Sequence, residues 1–552
     1  MKRNLGILLL AALAAVVAAC TGRKAKLPSF DPEALYLIEF GDGAEPLRGF
    51  ARFAPVSEEG DVTGRLYEDT GSAVAYPVIF TLGTGDDGSL LMNLGEGEVR
   101  NFTFSKYESP GFTPFADVPQ YTVGGYDFNV INDVIYGVAE GFWTSYPETG
   151  ETFARIYERK LGDLYRDGLQ SQTLGMDIYV PEDGGRVSRP LLVMIHGGAF
   201  YNGDKSYEPI ARWCTHFASM GYTVASINYR LGFWPGAISV ARAGYRAVQD
   251  ANAAIRYLVS QKDAYGIDPD RIFVAGTSAG GITALNTAFM TDDLRPEAAG
   301  EQSGFGRKLV QDIVNIFRSV NVADMDDLGP IAAINPELAD PFTVKGIGNL
   351  WGAVENPDLL ATDGNVSVIS FHSRKDPVVP FGYDAPFEGS FSFLDLNEAI
   401  FPKMYGSGEV HRILQAQGNR VELHSYDIPR HSLMMNDDET VNEEIHSEIQ
   451  AAMTSFFAPD AAYHPASLTQ NGKDPQVFSI DVANADDVTW KVEGGAILEQ
   501  GLGRIADGIP GAAADDDLDG IRVLMFGDAD TLAVTVSGLY RNSGSFLKSV
   551  NL

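Results

Sequence analysis

The stretch Arg271-Ile272-Phe273-Val274-Ala275-Gly276-Thr277-Ser278-Ala279-Gly280-Gly281-Ile282 decides how this chain is read. Ile272–Ala275 is a short apolar run of the kind that forms a buried strand, and Ile282–Met290 reads as a helix. Pro269 and Gly276 punctuate the segment on either side of the strand. Between strand and helix lies Gly-x-Ser-x-Gly. A serine placed there sits on a sharp turn at the tip of the strand, and the small residues Gly276 and Gly280 let neighbouring chain approach closely. The pattern alone is common. The strand before it and the helix after it make it specific.

A second signal lies upstream, in Val193-Met194-Ile195-His196-Gly197-Gly198-Ala199-Phe200. A strand runs here into a glycine-rich turn. Acyl transfer develops negative charge on a carbonyl oxygen, and each pre-positioned backbone N–H aimed at it contributes roughly 3–4 kcal/mol. Gly197 or Gly198 would supply one or two such donors, and Ala279 the other. His196 precedes the serine and reads as an anchor of the loop.

The partners of Ser278 are expected in the order Ser…Asp…His. Ser367–Pro380 is a strand ending in a turn that carries Asp376, and Val421–Ser432 is a strand followed by a loop that carries His431. A buried aspartate fixes the tautomer of the histidine and stabilises the imidazolium as it forms. Asp363 precedes its strand, at the wrong end of a parallel sheet. His424 falls inside a strand pattern, His372 on the acid-bearing segment and His446 on a polar helix, so His431 is preferred as the base.

With these residues in hand, the middle of the chain resembles the carboxylesterase and hormone-sensitive-lipase-like branch of the α/β hydrolases. His196-Gly197-Gly198-Ala199-Phe200 stands where that family has a His-Gly-Gly-Gly-Phe loop. Met176–Pro181, Ile227-Asn228-Tyr229-Arg230-Leu231 and Asp250–Leu258 match its surrounding strands and helix. The resemblance implies an α/β fold with a mostly parallel sheet flanked by helices. It also implies two-step ester hydrolysis by Ser278, His431 and Asp376, with an oxyanion hole from Gly197, Gly198 and Ala279 and no metal or organic cofactor. Ala199 departs from the third family glycine and Ser373 from the glycine that often follows the histidine of the acid strand. A serine exopeptidase of the prolyl-oligopeptidase type shares the elbow and the triad order. A binding protein on an inactive hydrolase scaffold is the alternative of another class. The first is disfavoured by the His-Gly-Gly-Ala-Phe loop and by the absence of a visible repeat, the second by the intact triad.

The 552 residues are long enough for about three domains. The expected division is a leader over 1–20, a β-rich region over 21–128, the α/β unit over 129–460 and a two-sheet β module over 461–552. The last resembles PKD-like and immunoglobulin-like modules through Thr489–Gly495 and Leu532–Gly544, with Trp490 as core. Lys and Arg number 41 against 74 Asp and Glu, a net charge of −33 that disfavours nucleic acid and anionic lipid as partners. The expected partner is an ester substrate, polymer-borne esters included.

Met1-Lys2-Arg3, the apolar run Leu5–Val17 and Val17-Ala18-Ala19-Cys20 resemble a bacterial lipoprotein leader. They imply lipidation of Cys20 and anchorage in the cell envelope, at the outer membrane, with membrane contact through the anchor alone. Cys214 lies at helical spacing with Ile210, Trp213 and Phe217 and reads as a buried core thiol. The acidic loop Asp515–Gly520 lacks the spacing of an EF-hand and reads as solvated. Residues 291–341 read as either a cap over the pocket or a surface insertion. Phe381, Tyr383, Phe387, Phe391 and Phe393 read as either pocket lining or core.

Overall fold

The computed structural model describes residues 27–552 apart from 42–46, 58–60, 86, 115–119, 143–168, 183–188, 234–236, 303–325, 362–363, 388–401, 463–467, 473, 482–484, 501–517 and 541–544. Cys20 and the leader, Asp363, Phe391, Phe393 and residues 515–517 of the acidic loop lie outside the described residues. The chain forms two compact units, one of residues 119–462, the other of residues 1–118 together with 463–552. The first and last β regions, separate in the sequence reading, thus share one unit. The α/β unit begins ten residues before 129 because Tyr121 packs edge-on against Tyr222 and the amides of Gly125 and Tyr126 donate to the Ser219 carbonyl.

The α/β unit is built on eight strands: β1 (Phe128–Gly141), β2 (Gln170–Pro181), β3 (Arg189–Ile195), β4 (Thr223–Ile227), β5 (Ile267–Thr277), β6 (Val344–Leu350), β7 (Ser367–Ser373) and β8 (Val421–Tyr426). Their order across the sheet is β1-β2-β4-β3-β5-β6-β7-β8. β4, β3 and β5 through β8 run parallel, while β2 is antiparallel to both β1 and β4. This is the α/β-hydrolase sheet.

The central strands are buried on both faces, which explains why they read as unbroken apolar runs. Leu191, Val193, Ile195, Ile272, Val274 and Ile347 point to one face, which α2 (Ala237–Ser260), α3 (Ala279–Phe289) and α4 (Ser407–Ala416) cover. Leu192, Met194, Phe273, Ala275 and Ile369 point to the other, covered by α1 (Glu208–Ser219) and α5 (Glu443–Ala461). Cys214 sits in this second core, fully buried on α1, and burial pushes its thiol well above the ordinary range. α5 starts where the Asn442 side chain accepts from the Ile445 amide, with Glu443 and Glu444 in the first turn. Its Phe457 packs against Phe273 beside Gly346 and Gly348 of β6, where any added β-carbon would strike Phe273 or Ala275.

Two buried ion pairs lock the loops that follow β3 and β4. Arg230, after β4, pairs with Asp250 of α2 at 2.7 Å, and its own amide donates to the same carboxylate. Lys205 pairs with Asp177 of β2 at 2.6 Å. Each charge is satisfied by several donors or acceptors, the condition under which burial is tolerated.

In the other unit, six antiparallel strands from Tyr36–Phe40 to Glu98–Lys106 close into a barrel around Phe30, Ile38, Phe53, Leu66, Phe80 and Met92. The C-terminal strands form two sheets around a core that includes Trp490, Ile521, Val523, Val536 and Phe546. Val74–Ala75 pairs with Leu518–Phe526, Tyr67 stacks on Phe526 at 4.0 Å, and Asp528 accepts from Arg65 and from the Tyr67 hydroxyl.

Removing the aromatic ring that closes the second core leaves a cavity that β6 cannot fill. Phe457→Ala is expected to lower the stability of the α/β unit by about 3–5 kcal/mol, read as a shift of its urea unfolding transition at unchanged slope.

Candidate active site

Strand β5 ends at Thr277, and the chain turns directly into α3. Ser278 stands at the turn with φ 53° and ψ −118°, a strained backbone for a residue other than glycine. Close packing holds it there. A β-carbon on Gly276 would lie 2.4 Å from the Gly280 backbone, and one on Gly280 would lie 2.1 Å from the Ile195 carbonyl oxygen. The Ser278 amide donates to the Leu350 carbonyl at the end of β6 (2.8 Å). The turn is therefore wedged between the ends of β3 and β6, with the hydroxyl facing a cavity.

The loops after β7 and β8 bring the two partners to it. The Ser278 hydroxyl lies 2.8 Å from His431 Nε2, and His431 Nδ1 lies 2.8 Å and 3.0 Å from the two Asp376 oxygens. With the carboxylate facing Nδ1, that nitrogen carries the proton and Nε2 is left to accept from the serine. Asp376 Oδ1 also accepts from the amides of Val378 (2.7 Å) and Val379 (3.1 Å). Its side chain is fully buried, while that of His431 keeps a fifth of its surface exposed. Burial by itself would raise the Asp376 pKa. Hydrogen bonds from His372, His431 and the Val378 amide outweigh it and bring the carboxyl down to about 2.

The rival histidines are placed elsewhere or otherwise engaged. His424 stacks on Phe371 and pairs with Glu422 at 2.6 Å. His446 lies flat on Trp213, with Nε2 2.9 Å from the Pro209 carbonyl. His196 is buried and stacked on Tyr229, and desolvation lowers its pKa to about 4, so it is neutral at pH 7. Its Nδ1 lies 2.7 Å from the Gly197 carbonyl, and the Tyr229 hydroxyl donates to the His196 carbonyl at 3.0 Å. These contacts anchor the loop. His372 contacts Asp376 Oδ2, the oxygen that also lies nearest His431 Nδ1, a position its place on the acid strand did not reveal.

Of the loop residues, Gly197 lies against the turn, where an added β-carbon would come within 3.3 Å of the Ser278 β-carbon. Gly198 is left-handed (φ 109°), and its carbonyl accepts from the amides of Tyr201 and Asn202. The structure adds Ala199 to the sequence reading. Ala199 and Phe200 are also left-handed, at φ 52° and 57°, and both line the cavity with Ser278 and Ala279. Nothing in the residue type at 199 announces that role, since alanine seldom adopts this backbone.

The cavity has a volume of about 630 Å³. Val248, Ile282, Met290 and Leu359 make it largely apolar. Residues 294–298, Tyr383 and Phe387 form part of its wall, so the described beginning of the 291–341 segment takes part in the pocket, whereas Phe381 packs on His372. Among the described residues, no group of three or more His, Cys, Asp or Glu could hold a metal ion, and no helix is long and apolar enough to cross a membrane.

The lowered Asp376 pKa has a consequence for stability. Its contribution is fully present above the unfolded value near 3.8 and is lost as pH falls through the folded value near 2. The stability difference between the native protein and Asp376→Asn should therefore shrink by about 2 kcal/mol between pH 5 and pH 2. Denaturant titrations at a series of pH values check this.

Comparison with known proteins finds a family model and several esterases to which the chain is similar. Residues 176–384 match the family model BD-FAE. The isoprenylcysteine alpha-carbonyl methylesterase ICME of Arabidopsis thaliana is 26% identical over 263 residues, which cover 44% of this chain and 54% of that protein. Carboxylesterase patB of Penicillium expansum is 30% identical over 293 residues, 48% of this chain and 47% of that protein. The para-nitrobenzyl esterase of Bacillus subtilis is 32% identical over 114 residues, 20% of this chain and 23% of that protein. The chain thus spans about half or less of the length of these relatives. Among solved structures, esterase 2 of Thermogutta terrifontis aligns at 17% identity and a TM-score of 0.33, over 53% of this chain and 88% of that one. The sheet order and the serine turn give the unit of residues 119–462 the α/β-hydrolase fold, and within it residues 176–384 are similar to the BD-FAE family and to carboxylesterases.

Proposed function

We propose that this protein hydrolyses carboxylic esters through an acyl-enzyme on Ser278. The observation that carries the reading is the hydrogen-bonded line Ser278–His431–Asp376 opening on an apolar cavity. His431 Nε2 takes the hydroxyl proton as Ser278 Oγ attacks the ester carbonyl. The amides of Ala279 and of Gly197 and Gly198 stabilise the oxyanion, with Ala199 bordering the same space. The tetrahedral intermediate collapses, the alcohol leaves with the proton from His431, and water activated by the same imidazole releases the acid. Asp376 keeps Nδ1 protonated and offsets the charge on the imidazolium.

The test is hydrolysis of p-nitrophenyl esters from acetate to palmitate, beside an aminoacyl anilide. The protein is expected to cleave esters, and Ser278→Ala to lose at least about a thousandfold in kcat. The optimum chain length then reports the depth of the cavity. Cleavage of the anilide alone would favour an exopeptidase. No cleavage, together with no labelling of Ser278 by a fluorophosphonate, would favour a binding protein.

We further infer that Cys20 carries a lipid that holds the protein in the bacterial cell envelope, at the outer membrane. The β module of residues 461–552, read as immunoglobulin-like, would present the esterase to polymer-borne esters there. The support is the leader pattern Met1-Lys2-Arg3, Leu5–Val17 and Val17-Ala18-Ala19-Cys20. Incorporation of a labelled fatty acid in a bacterial host, abolished by Cys20→Ala, is the expected result.

A further inference from the structure

The carboxylate of Asp376 has a second histidine against it. His372 is fully buried at the end of β7, and its Nε2 lies 3.2 Å from Asp376 Oδ2 and 3.1 Å from the Val379 carbonyl oxygen. Both neighbours of Nε2 are acceptors, so this nitrogen carries a proton, shared between the carbonyl and the carboxylate. The other ring nitrogen, Nδ1, lies 2.8 Å from the Ser407 hydroxyl at the start of α4. Ser407 is held in turn by Asn349 of β6, whose amide donates to the Ser407 oxygen at 3.0 Å. The Ser407 proton has two acceptors within reach, His372 Nδ1 at 2.8 Å and the Gly352 carbonyl oxygen at 3.3 Å, and the imidazole is the nearer. Asn349 also ties down the end of β6, since its carbonyl oxygen accepts from the Gly352 amide (2.9 Å). The chain of contacts therefore runs from the strand that holds the Ser278 amide, through Ser407 and His372, to the carboxylate.

We propose that His372 is a positioning residue of the triad, a second N–H on Asp376 that orients the carboxylate and limits how strongly it holds the imidazolium form of His431. The proposal rests on the reading of Ser278, His431 and Asp376 as the working triad. The physical basis is the sharing of one negative charge between two donors. A carboxylate already compensated by one donor is a weaker acceptor for the other, so the base stays easier to deprotonate. The groups that face this pair are accounted for. Asp376 is met by His431, His372 and the Val378 and Val379 amides, and His372 by Ser407, Val379 and the Phe381 ring. Trp351 meets His431 edge-on at 6.4 Å. The nearby cations are engaged outward, Arg374 with Asp427 and Arg430 with Asp437, and Lys375 is exposed.

The experiment is a titration of the histidine resonances by 15N NMR on the full chain, with His431 assigned by substitution, beside the pH profile of kcat/KM on p-nitrophenyl butyrate. In His372→Leu the His431 pKa, and with it the acid limb of the profile, is expected to move up by at least about half a unit. His372→Gln, whose amide offers a replacement donor, should return it most of the way. Ser407→Ala should move it in the same direction by less, and it decides the matter if His372→Leu does not fold. A His431 pKa unmoved in both His372→Leu and Ser407→Ala, with only the melting temperature lowered, would overturn the proposal. Asp376→Asn separates the two readings. If it leaves His431 unchanged, the triad reading fails. If it shifts His431 while the His372 and Ser407 variants do not, only the positioning role fails.

Discussion

The close approach of the serine turn to the carbonyl of Ile195 is the constraint on which the site depends. Gly276 and Gly280 leave no room for a β-carbon against the ends of the chain around them, and the Ser278 amide is tied to Leu350. A strained backbone persists only where its surroundings over-determine it. Here those surroundings are the ends of three neighbouring parallel strands, β3, β5 and β6. The same packing brings the His196–Phe200 loop beside Ser278, because that loop is the continuation of β3. Ser278 and the His196–Phe200 loop are thus positioned by one contact, and a register change in β3 would displace both.

The second requirement is to keep a buried carboxylate charged. Asp376 meets it with donors from four residues: His431, His372 and the amides of Val378 and Val379. Arg230–Asp250 and Lys205–Asp177 solve the same problem with opposite charges. A guanidinium or ammonium against Asp376 would neutralise it permanently, whereas histidine donors leave the anion available to an imidazolium on His431, as the proposed mechanism requires. The buried cation pairs instead fix loops that must not move, among them the segment after β4 whose Tyr229 holds the His196 loop.

The sequence alone determined the main elements of the α/β unit and singled out the residues of the candidate site. Short unbroken apolar runs marked β3, β4, β5 and β7, and the Gly-x-Ser-x-Gly turn marked Ser278. The position of His431 after its strand, and of His424 within one, separated two identical side chains. These are local signals, carried by periodicity and by turn residues a few positions apart. What only the tertiary structure decided spans long separations: Ser278 and His431 are 153 residues apart, and Asp376 and His431 are 55 apart. The left-handed Ala199 on the cavity wall, the contact of His372 with Asp376, the closure of the N-terminal barrel and its grouping with the C-terminal sheets left no mark in spacing or composition. The reason is physical. Secondary structure answers to neighbours along the chain, but a side chain's partner across a core is chosen by the packing of whole elements, and one histidine reads like another until its surroundings exist.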